Sequence, residues 1–478
     1  MEQEGARRPH GGGADIISAL PEDLLLHVLR RLGCARAAAR TSLLSRHWRG
    51  LWTRIPDLIF RNVPVHLIQA ALSSLPDAVS LLDITFFSLQ AAAGVPLPTH
   101  ELWDLLDAAA GLSPVDFRLT LPGCLGRADT GLPGFSRTTS IQMYADNLHL
   151  TLPRSGAGGA FPNLERLTLL GCYVDVTALL LLCPRLRVLR VNQSYLDAGI
   201  NIRSESLQKL SLRTARERNK STDSINVAAP VLEQLALSIS THTDLSVSVI
   251  APILEKVSWE CSYDTRITGP GLACWGLSKV SLYAAAESLR RHRVLTCLQL
   301  SHVYVLSLEM FCRDWFQAQL DLVQQLEKHL VTDFSILDLT MGYNHNMGSR
   351  VHVFGPVVLH LLGMHRIRTT TRRLQIHFRT LDRKAGFLPE NCRCDEPKNW
   401  RSKNISLINL EEVEINGFGR EDHEFDFLKV IFRCAPMLKR LVLRTSDEVR
   451  TSDHQCTKIQ DIFKAYPFVE CKLIHRRS

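Results

Sequence analysis

Apolar residues recur through the middle of the chain in one fixed pattern. FPNLERLTL (Phe161–Leu169), CPRLRVLRV (Cys183–Val191), SESLQKLSL (Ser204–Leu212), APVLEQLAL (Ala229–Leu237) and APILEKVSW (Ala251–Trp259) all read L-x-x-(L/V)-x-(L/V/W). Their leading leucines, Leu164, Leu186, Leu207, Leu232 and Leu254, stand 22, 21, 25 and 22 residues apart. Two apolar positions separated by one residue lie on the same side of an extended strand, and the residue between them faces the other way. Each run therefore predicts a short strand, entered through a turn that carries the leading leucine. A unit this small cannot enclose its own leucines, so successive units must stack into a continuous core.

That spacing is the spacing of leucine-rich repeats. Looser copies extend the array: LSKVSL from Leu277, LTCLQL from Leu295, FSILDL from Phe334 and TRRLQI from Thr371. Upstream, VDFRLTL (Val115–Leu121) and NLHLTL (Asn147–Leu152) predict strands of earlier, irregular repeats. The DVTALLLLC stretch before Pro184 predicts a short helix on the outer side. LSLEMFCRDWFQAQLDLVQQLEK (Leu306–Lys328) predicts a longer one, with Phe316, Leu320, Val323 and Leu326 on its apolar side. The expected fold class is α/β: an irregular leucine-rich-repeat solenoid over residues 61–388, a curved parallel sheet with outer helices, regular over 161–260.

The pattern at the N-terminal end is helical instead. In LPEDLLLHVLRRLGCARAAARTSLLSRHWRGLW (Leu20–Trp52), Pro21 suits a first turn, Glu22 and Asp23 follow it, and Arg30 and Arg31 occupy the last turn. Gly33 stands where a C-terminal cap belongs. Pro21, Leu24, Leu25, Val28, Leu29 and Leu32 form one broad apolar stripe, widened by Leu26. A second helix is predicted through RTSLLSRHWRGLW, with Leu44, Trp48, Leu51 and Trp52 on one face. Small alanines at Ala35 and Ala37–Ala39 permit close helix approach. Helices of this size enclose only part of the apolar surface they present.

LPEDLLLHVLRRL followed by RTSLLSRHWRGLW resembles an F-box, matching its L-P-x-(D/E)-L-L opening and its later L-S-(R/K)-x-W-R-x-L-W, over residues 15–60. Residues 1–14 are expected to be a disordered N-terminus. The resemblance implies docking onto a Skp-type adaptor and, through it, onto a cullin and a ubiquitin ligase. It puts Leu20, Pro21, Leu24, Leu25, Val28 and Leu29 at or beside the adaptor contact, with Leu44, Ser45, Trp48, Leu51 and Trp52 contributing the rest.

A second resemblance covers the C-terminal residues 389–478. CRCDEPKNWRSKNISLINLEEVEINGFGREDHEFDFLKVIFRCAPMLKRLVL is similar to the FBD domain that follows F-box and leucine-rich repeats in plant proteins. Cys392, Cys394, Pro397 and Trp400 match its cysteine-rich opening. LEEVEI (Leu410–Ile415) and LKRLVL (Leu438–Leu443) predict two more repeat strands. A helix between them, about Glu424 to Cys434, carries Phe427, Val430, Ile431 and Cys434 on one side. The module is expected to continue the stack and cap its last layer.

Composition changes this picture little. The 478 residues are 45% hydrophobic and 22% charged, a globular balance. No apolar run approaches the ~20 residues that cross a bilayer, so no membrane partner is expected. The thirteen cysteines follow no repeated spacing, which predicts reduced thiols in the nucleus or cytoplasm. Between Arg366 and Lys403 eleven Lys/Arg stand against four Asp/Glu, an excess of seven positive charges. Such a cluster opens a second function class, a non-ligase scaffold or nucleic-acid binder using 366–403. No aromatic stacking pattern or nucleic-acid motif accompanies it, which argues against that partner.

The Cys392-x-Cys394 pair lacks the second pair that structural zinc needs. His360 and His365 lack the glutamate and spacing of a metalloprotease helix, and no phosphate-binding glycine loop or nucleophile elbow is present. No metal, no cofactor and no catalysis are expected. The expected role is a substrate receptor whose target the sequence does not identify.

Overall fold

The computed structural model describes residues 20–75, 79–86, 98–123, 128–153, 160–194, 199–214, 222–241, 243–263, 268–285, 303–312, 317–343, 353–378, 393–419, 421–445 and 453–475. The chain divides into two compact units, Met1–Val191 and Asn192–Ser478.

In the first unit, helices α1 (Glu22–Arg31) and α2 (Ala35–Arg40) lead into β1 (Asp57–Arg61), α3 (Val65–Leu72), β2 (Leu81–Thr85) and α4 (Thr99–Leu112). Then follow β3 (Asp116–Leu121), β4 (Ala128–Gly131), β5 (Ser140–Thr151), β6 (Arg166–Tyr173), α5 (Val176–Leu182) and β7 (Val188–Ser194). Strands β1, β2, β3, β5 and β6 pair in parallel, each with the next. Their register puts Leu58, Leu82, Phe117, Ile141 and Leu167 in one row, and Phe60, Ile84, Leu119, Met143 and Leu169 in a second. Both rows are buried. The stack thus starts at Asp57, inside the segment read as helical F-box, and VDFRLTL and NLHLTL lie in strands as expected.

The turns repeat as faithfully as the strands. The Glu165 and Arg166 amides donate to the Thr139 carbonyl at 2.9 and 3.0 Å, and the Arg187 and Val188 amides both donate to Glu165 at 2.9 Å. One step is irregular. The β5–β6 register slips between Tyr144 and Leu148, and Gly171 opposite it has φ +69°, where a Cβ would lie 1.9 Å from the Ala145 carbonyl oxygen. Only glycine fits there.

The second unit opens with two interleaved parallel sheets. β9 (Lys209–Thr214), β11 (Gln234–Thr241) and β13 (Lys256–Tyr263) form one. β8 (Gly199–Arg203), β10 (Ser224–Ala228) and β12 (Ser246–Ile250) form the other. Among the described residues of the regular repeats, the expected outer helix appears only as α5, started by Asp175 whose carboxylate accepts the Ala178 amide at 3.0 Å. In the following repeats short strands take that place, because GINIR, SINVA and SVSVI alternate β-branched and polar residues.

Beyond β13 the parallel order breaks. β14 (Thr268–Leu272), β15 (Trp275–Ala284) and β16 (Tyr304–Cys312) include two antiparallel steps, β15 running against both β13 and β16. LSKVSL is thus a strand, but a reversed one, and LTCLQL lies outside the described residues. The helix predicted over Leu306–Lys328 is corrected. Leu306, Leu308, Met310 and Cys312 alternate into the core as a strand, β17 (Gln317–Asp321) follows, and among the described residues of the stretch only α6 (Leu322–His329) is helical; Phe316 lies outside the described residues. Asp321 starts that helix by accepting the Gln324 amide at 2.8 Å.

Parallel pairing then resumes through β16, β18 (Ile336–Tyr343), β19 (Arg373–Phe378), β20 (Glu412–Phe418), β21 (Arg440–Thr445) and β22 (Glu470–His475). Helices α7 (Gly355–Gly363), α8 (His365–Thr370), α9 (Asp422–Cys434) and α10 (Asp453–Ala465) connect them. α9 buries Phe427, Val430, Ile431 and Cys434 as expected, and a capping box between Glu421 and Glu424 begins it. The last layer is less closed than a cap implies: no residue of β22 is buried, and Phe468 is 97% exposed.

The core of this unit holds one polar cluster. The Trp259 indole N–H donates to His329 Nδ1 at 3.0 Å, and Tyr263 Oη lies 2.6 Å from Nε2. With Nδ1 accepting, the ring is neutral and its proton sits on Nε2. Burial pushes the His329 pKa down to about 3, helped by Lys328. Between that value and an ordinary 6.5 the unfolded chain binds the extra proton, so stability is complete above about pH 6.5 and falls below it, by up to ~1.4 kcal/mol per pH unit. Urea unfolding between pH 7 and pH 4.5 should show a steeper loss in the wild type than in His329→Gln. Equal pH slopes would contradict this account.

Candidate functional site on the N-terminal helices

α1 forms where the pattern places it. Pro21 is its N-cap, one position before the expected first turn. Glu22 and Asp23 fill the first turn, Arg30 and Arg31 the last, and Gly33 follows at φ +63°. The apolar stripe, however, splits into two rows about 100° apart. Leu25 and Leu29 turn into the chain's own core, while Leu24, Val28 and Leu32 remain 51%, 43% and 44% exposed.

The second predicted helix does not exist as one element. Residues 41–54 form three short 3-10 turns, Thr41–Leu43, Arg46–Trp48 and Leu51–Arg54. Ser45 is extended (φ −158°, ψ 170°) and Gly50 is left-handed (φ +76°), so the chain turns twice within ten residues. Those breaks undo the shared face. Trp48 and Leu51 are buried, Trp52 is half-buried, and Leu44 points outward, 70% exposed.

The predicted set therefore divides. Pro21, Leu24, Val28 and Leu44 are exposed; Leu20, Ser45 and Trp52 are half-buried; Leu25, Leu29, Trp48 and Leu51 form the floor beneath them. Leu43, 88% exposed, was not singled out by the sequence reading and belongs with the exposed group. Its only signal is adjacency to Leu44 just before the chain breaks direction. Ser45 Oγ is enclosed and has no hydrogen-bond partner. Ion pairs from Arg30 to Asp57 and from Arg54 to Glu22 tie α1 to the segment after the turns.

Between Leu20 and Pro56 seven arginines, all exposed, stand against Glu22 and Asp23. The surface is an apolar patch in a basic setting, suited to a partner that offers apolar pockets and acidic groups. Nothing in it is arranged for covalent chemistry.

Three of the eight described cations of the rival basic segment are engaged within the fold. Arg366 donates to the Leu330 carbonyl at 2.6 Å, Arg373 to Glu414 at 3.1 Å, and Arg401 to Asp426 at 2.8 Å and Asp395 at 3.0 Å. Residues 379–392 lie outside the description. The zinc question rests partly there, since Cys392 is among them. Cys394 is disulfide-bonded, which corrects the expectation of uniformly reduced thiols. The other described cysteines, Cys34, Cys172, Cys183, Cys261, Cys274, Cys312, Cys434 and Cys471, are free. No group of three metal-capable side chains occurs among the described residues, and no described helix is long and apolar enough to cross a membrane.

The division of the stripe has a measurable consequence. Leu25→Ala should destabilise the chain by about 2–5 kcal/mol, whereas Leu24→Ala, one residue away, should change stability by no more than about 0.5 kcal/mol. Urea unfolding of the two variants checks this, and similar losses would place both leucines in the core.

Comparison with known proteins agrees with the geometry. Residues 17–60 match the F-box domain, and residues 124–259 match the family described as "FBD-associated F-box protein At5g56370, LRR repeats". Among curated Arabidopsis thaliana proteins, the F-box/LRR-repeat protein At3g58900 is 30% identical over 41% of this chain and 64% of its own length. The putative F-box/FBD/LRR-repeat protein At4g03220 is 26% identical over 51% of this chain and 57% of its length. F-box protein At1g60400 is 50% identical over 48 residues, 10% of this chain and 12% of its length. The chain thus spans less than two thirds of the curated relatives it matches. The matches indicate no catalytic family. The chain carries an F-box domain followed by FBD-associated leucine-rich repeats, the domain order of the plant F-box/leucine-rich-repeat/FBD proteins it resembles.

Proposed function

We propose that this chain is a non-catalytic substrate receptor of a cullin-type ubiquitin ligase. Its F-box docks on a Skp-type adaptor, and its repeats, with residues 389–478 read as an FBD module, hold a target protein. The observation that carries the reading is the uncovered patch of Leu24, Val28, Leu32, Leu43 and Leu44 within the F-box match. A leucine or valine fully buried contributes ~1.5–3 kcal/mol, so these four leucines and one valine, already partly covered, supply on the order of 5–10 kcal/mol. Association costs about 4–15 kcal/mol. The patch alone roughly offsets that cost, and the surrounding arginines are the groups left to add affinity and orientation.

The receptor contributes proximity, raising the effective concentration of a target lysine beside an activated ubiquitin thioester carried by another subunit. The free cysteines suit a reducing compartment, and we place the protein in the nucleus or cytoplasm. The paired state of Arg366, Arg373 and Arg401 weighs against nucleic acid as the partner of the basic segment.

Pull-down with a Skp-type adaptor tests the reading, and the burial pattern chooses the variant. Leu24→Asp with Leu44→Asp places charge on the exposed patch without touching the floor, and should lower adaptor binding on the order of tenfold or more with an unchanged melting temperature. Leu25→Asp would unfold the segment and decide nothing. Absence of wild-type capture, or equal capture of the double variant, would sink the proposal.

A further inference from the structure

Strands β19 to β22 carry a charged face whose residues stand in register. Arg373, Glu412, Arg440 and Glu470 form one row, and His377, Asn416, Arg444 and Ile474 another, with Glu414 and Val442 between them. Glu414 accepts from Arg373 at 3.1 Å and from Arg444 at 2.9 Å. Burial opposes its ionisation, yet those two arginines hold its carboxyl below the usual range. Glu412 lies 3.6 Å from Arg373, and Glu470 is paired with Lys472. Every carboxylate in the two rows thus has a cation.

The cations are not all matched in return. Arg440 sits between Glu412 and Glu470 in its row, yet its guanidinium makes no hydrogen bond to a described residue, and its Nε is enclosed without an acceptor. It borders a cavity of about 180 Å³ lined by Arg373, Glu412, Glu414, Arg440, Val442 and Arg444. The Arg440 charge is partly met by Glu470, whose carboxyl Lys472 and Arg440 together hold below the usual range, but an enclosed charged N–H without an acceptor still costs more than a neutral one, so the position favours an acceptor from outside.

We propose that this cavity receives the carboxylate of a glutamate or aspartate side chain from an acidic segment of the target protein, held by Arg440. The inference rests on the reading of this chain as a target receptor. Charge selects the ligand. Three guanidinium groups and two carboxylates line the cavity, a net charge of +1. One carboxylate neutralises that charge, whereas the second charge of a phosphate dianion would meet Glu412 and Glu414 unscreened.

The test is an NMR titration of the full chain, following the Arg440 Nε–H signal, assigned by its loss in Arg440→Gln. The probes are N-acetyl-glutamate N-methylamide, its glutamine counterpart and its phosphoserine counterpart. The glutamate probe should shift the signal saturably, with the glutamine probe on the order of tenfold weaker and the phosphoserine probe no stronger than glutamate. Lys439→Gln, outside the cavity, should leave the response unchanged. An equal response to glutamine, or tighter binding of phosphoserine, would overturn the proposal. Should Arg440→Gln fail to fold, Arg440→Lys assigns the signal equally, and the wild-type ranking of probes decides alone. Adaptor pull-down of the wild-type chain keeps the two readings apart: wild-type protein that is captured by the adaptor yet shows no response to the glutamate probe refutes this inference and leaves the receptor reading standing.

Discussion

Within each unit the organising constraint is parallel register. Every strand from β1 to β6 in the first stack brings its apolar residues level with those of its neighbours, and a slip of one residue would turn each of them to solvent. At most turns two amides sharing one carbonyl hold that register where the strand begins. What the chain does between strands is then nearly free. It closes some repeats with helices and others with short strands, and it inserts one reversed strand, β15, while the apolar rows continue.

The same constraint releases the other face. Once alternate residues are committed to the core, those between them are chosen by what they meet in solvent or on a partner. On β19 to β22 that freedom has produced a cross-strand arrangement of arginines and glutamates. Exposed ion pairs add little to stability, so a dense charged face is poorly explained by folding alone. The excess guanidinium at Arg440 is less explained still, because an enclosed donor without an acceptor opposes folding.

How much of this could be read from the sequence follows from which features repeat. The regular strands were legible because burial imposes the same L-x-x-L-x-L on each of them. Strand direction imposes nothing on the pattern, so the reversal of β15 left no mark in LSKVSL. Leu306–Lys328 was read as a helix because its apolar residues satisfy a period of two early and nearer four later, and the longer period was extended over both. At the N-terminal end the stripe on α1 was legible, but its width exceeds what one neighbour covers, and nothing in a lone sequence tells which row is covered. Gly50, at φ +76°, was a visible sign that RTSLLSRHWRGLW would not run straight, and Ser45 was not.

The split of that stripe also bears on how tightly the patch can hold a partner. Leu24, Val28 and Leu32 project from the helix that Leu25 and Leu29 anchor, so their backbone is fixed before any partner arrives. Leu43 and Leu44 sit between α2 and the buried Trp48, held by a segment with little freedom of its own. Anchors that need no ordering on association avoid a loss of about 0.5–1.5 kcal/mol for each side chain so restrained. Against a margin as narrow as that between patch burial and association cost, such pre-ordering weighs heavily for a surface of four leucines and a valine. On the proposed adaptor reading, the buried row would serve binding as well as folding, and a substitution there would weaken adaptor capture without touching the contact.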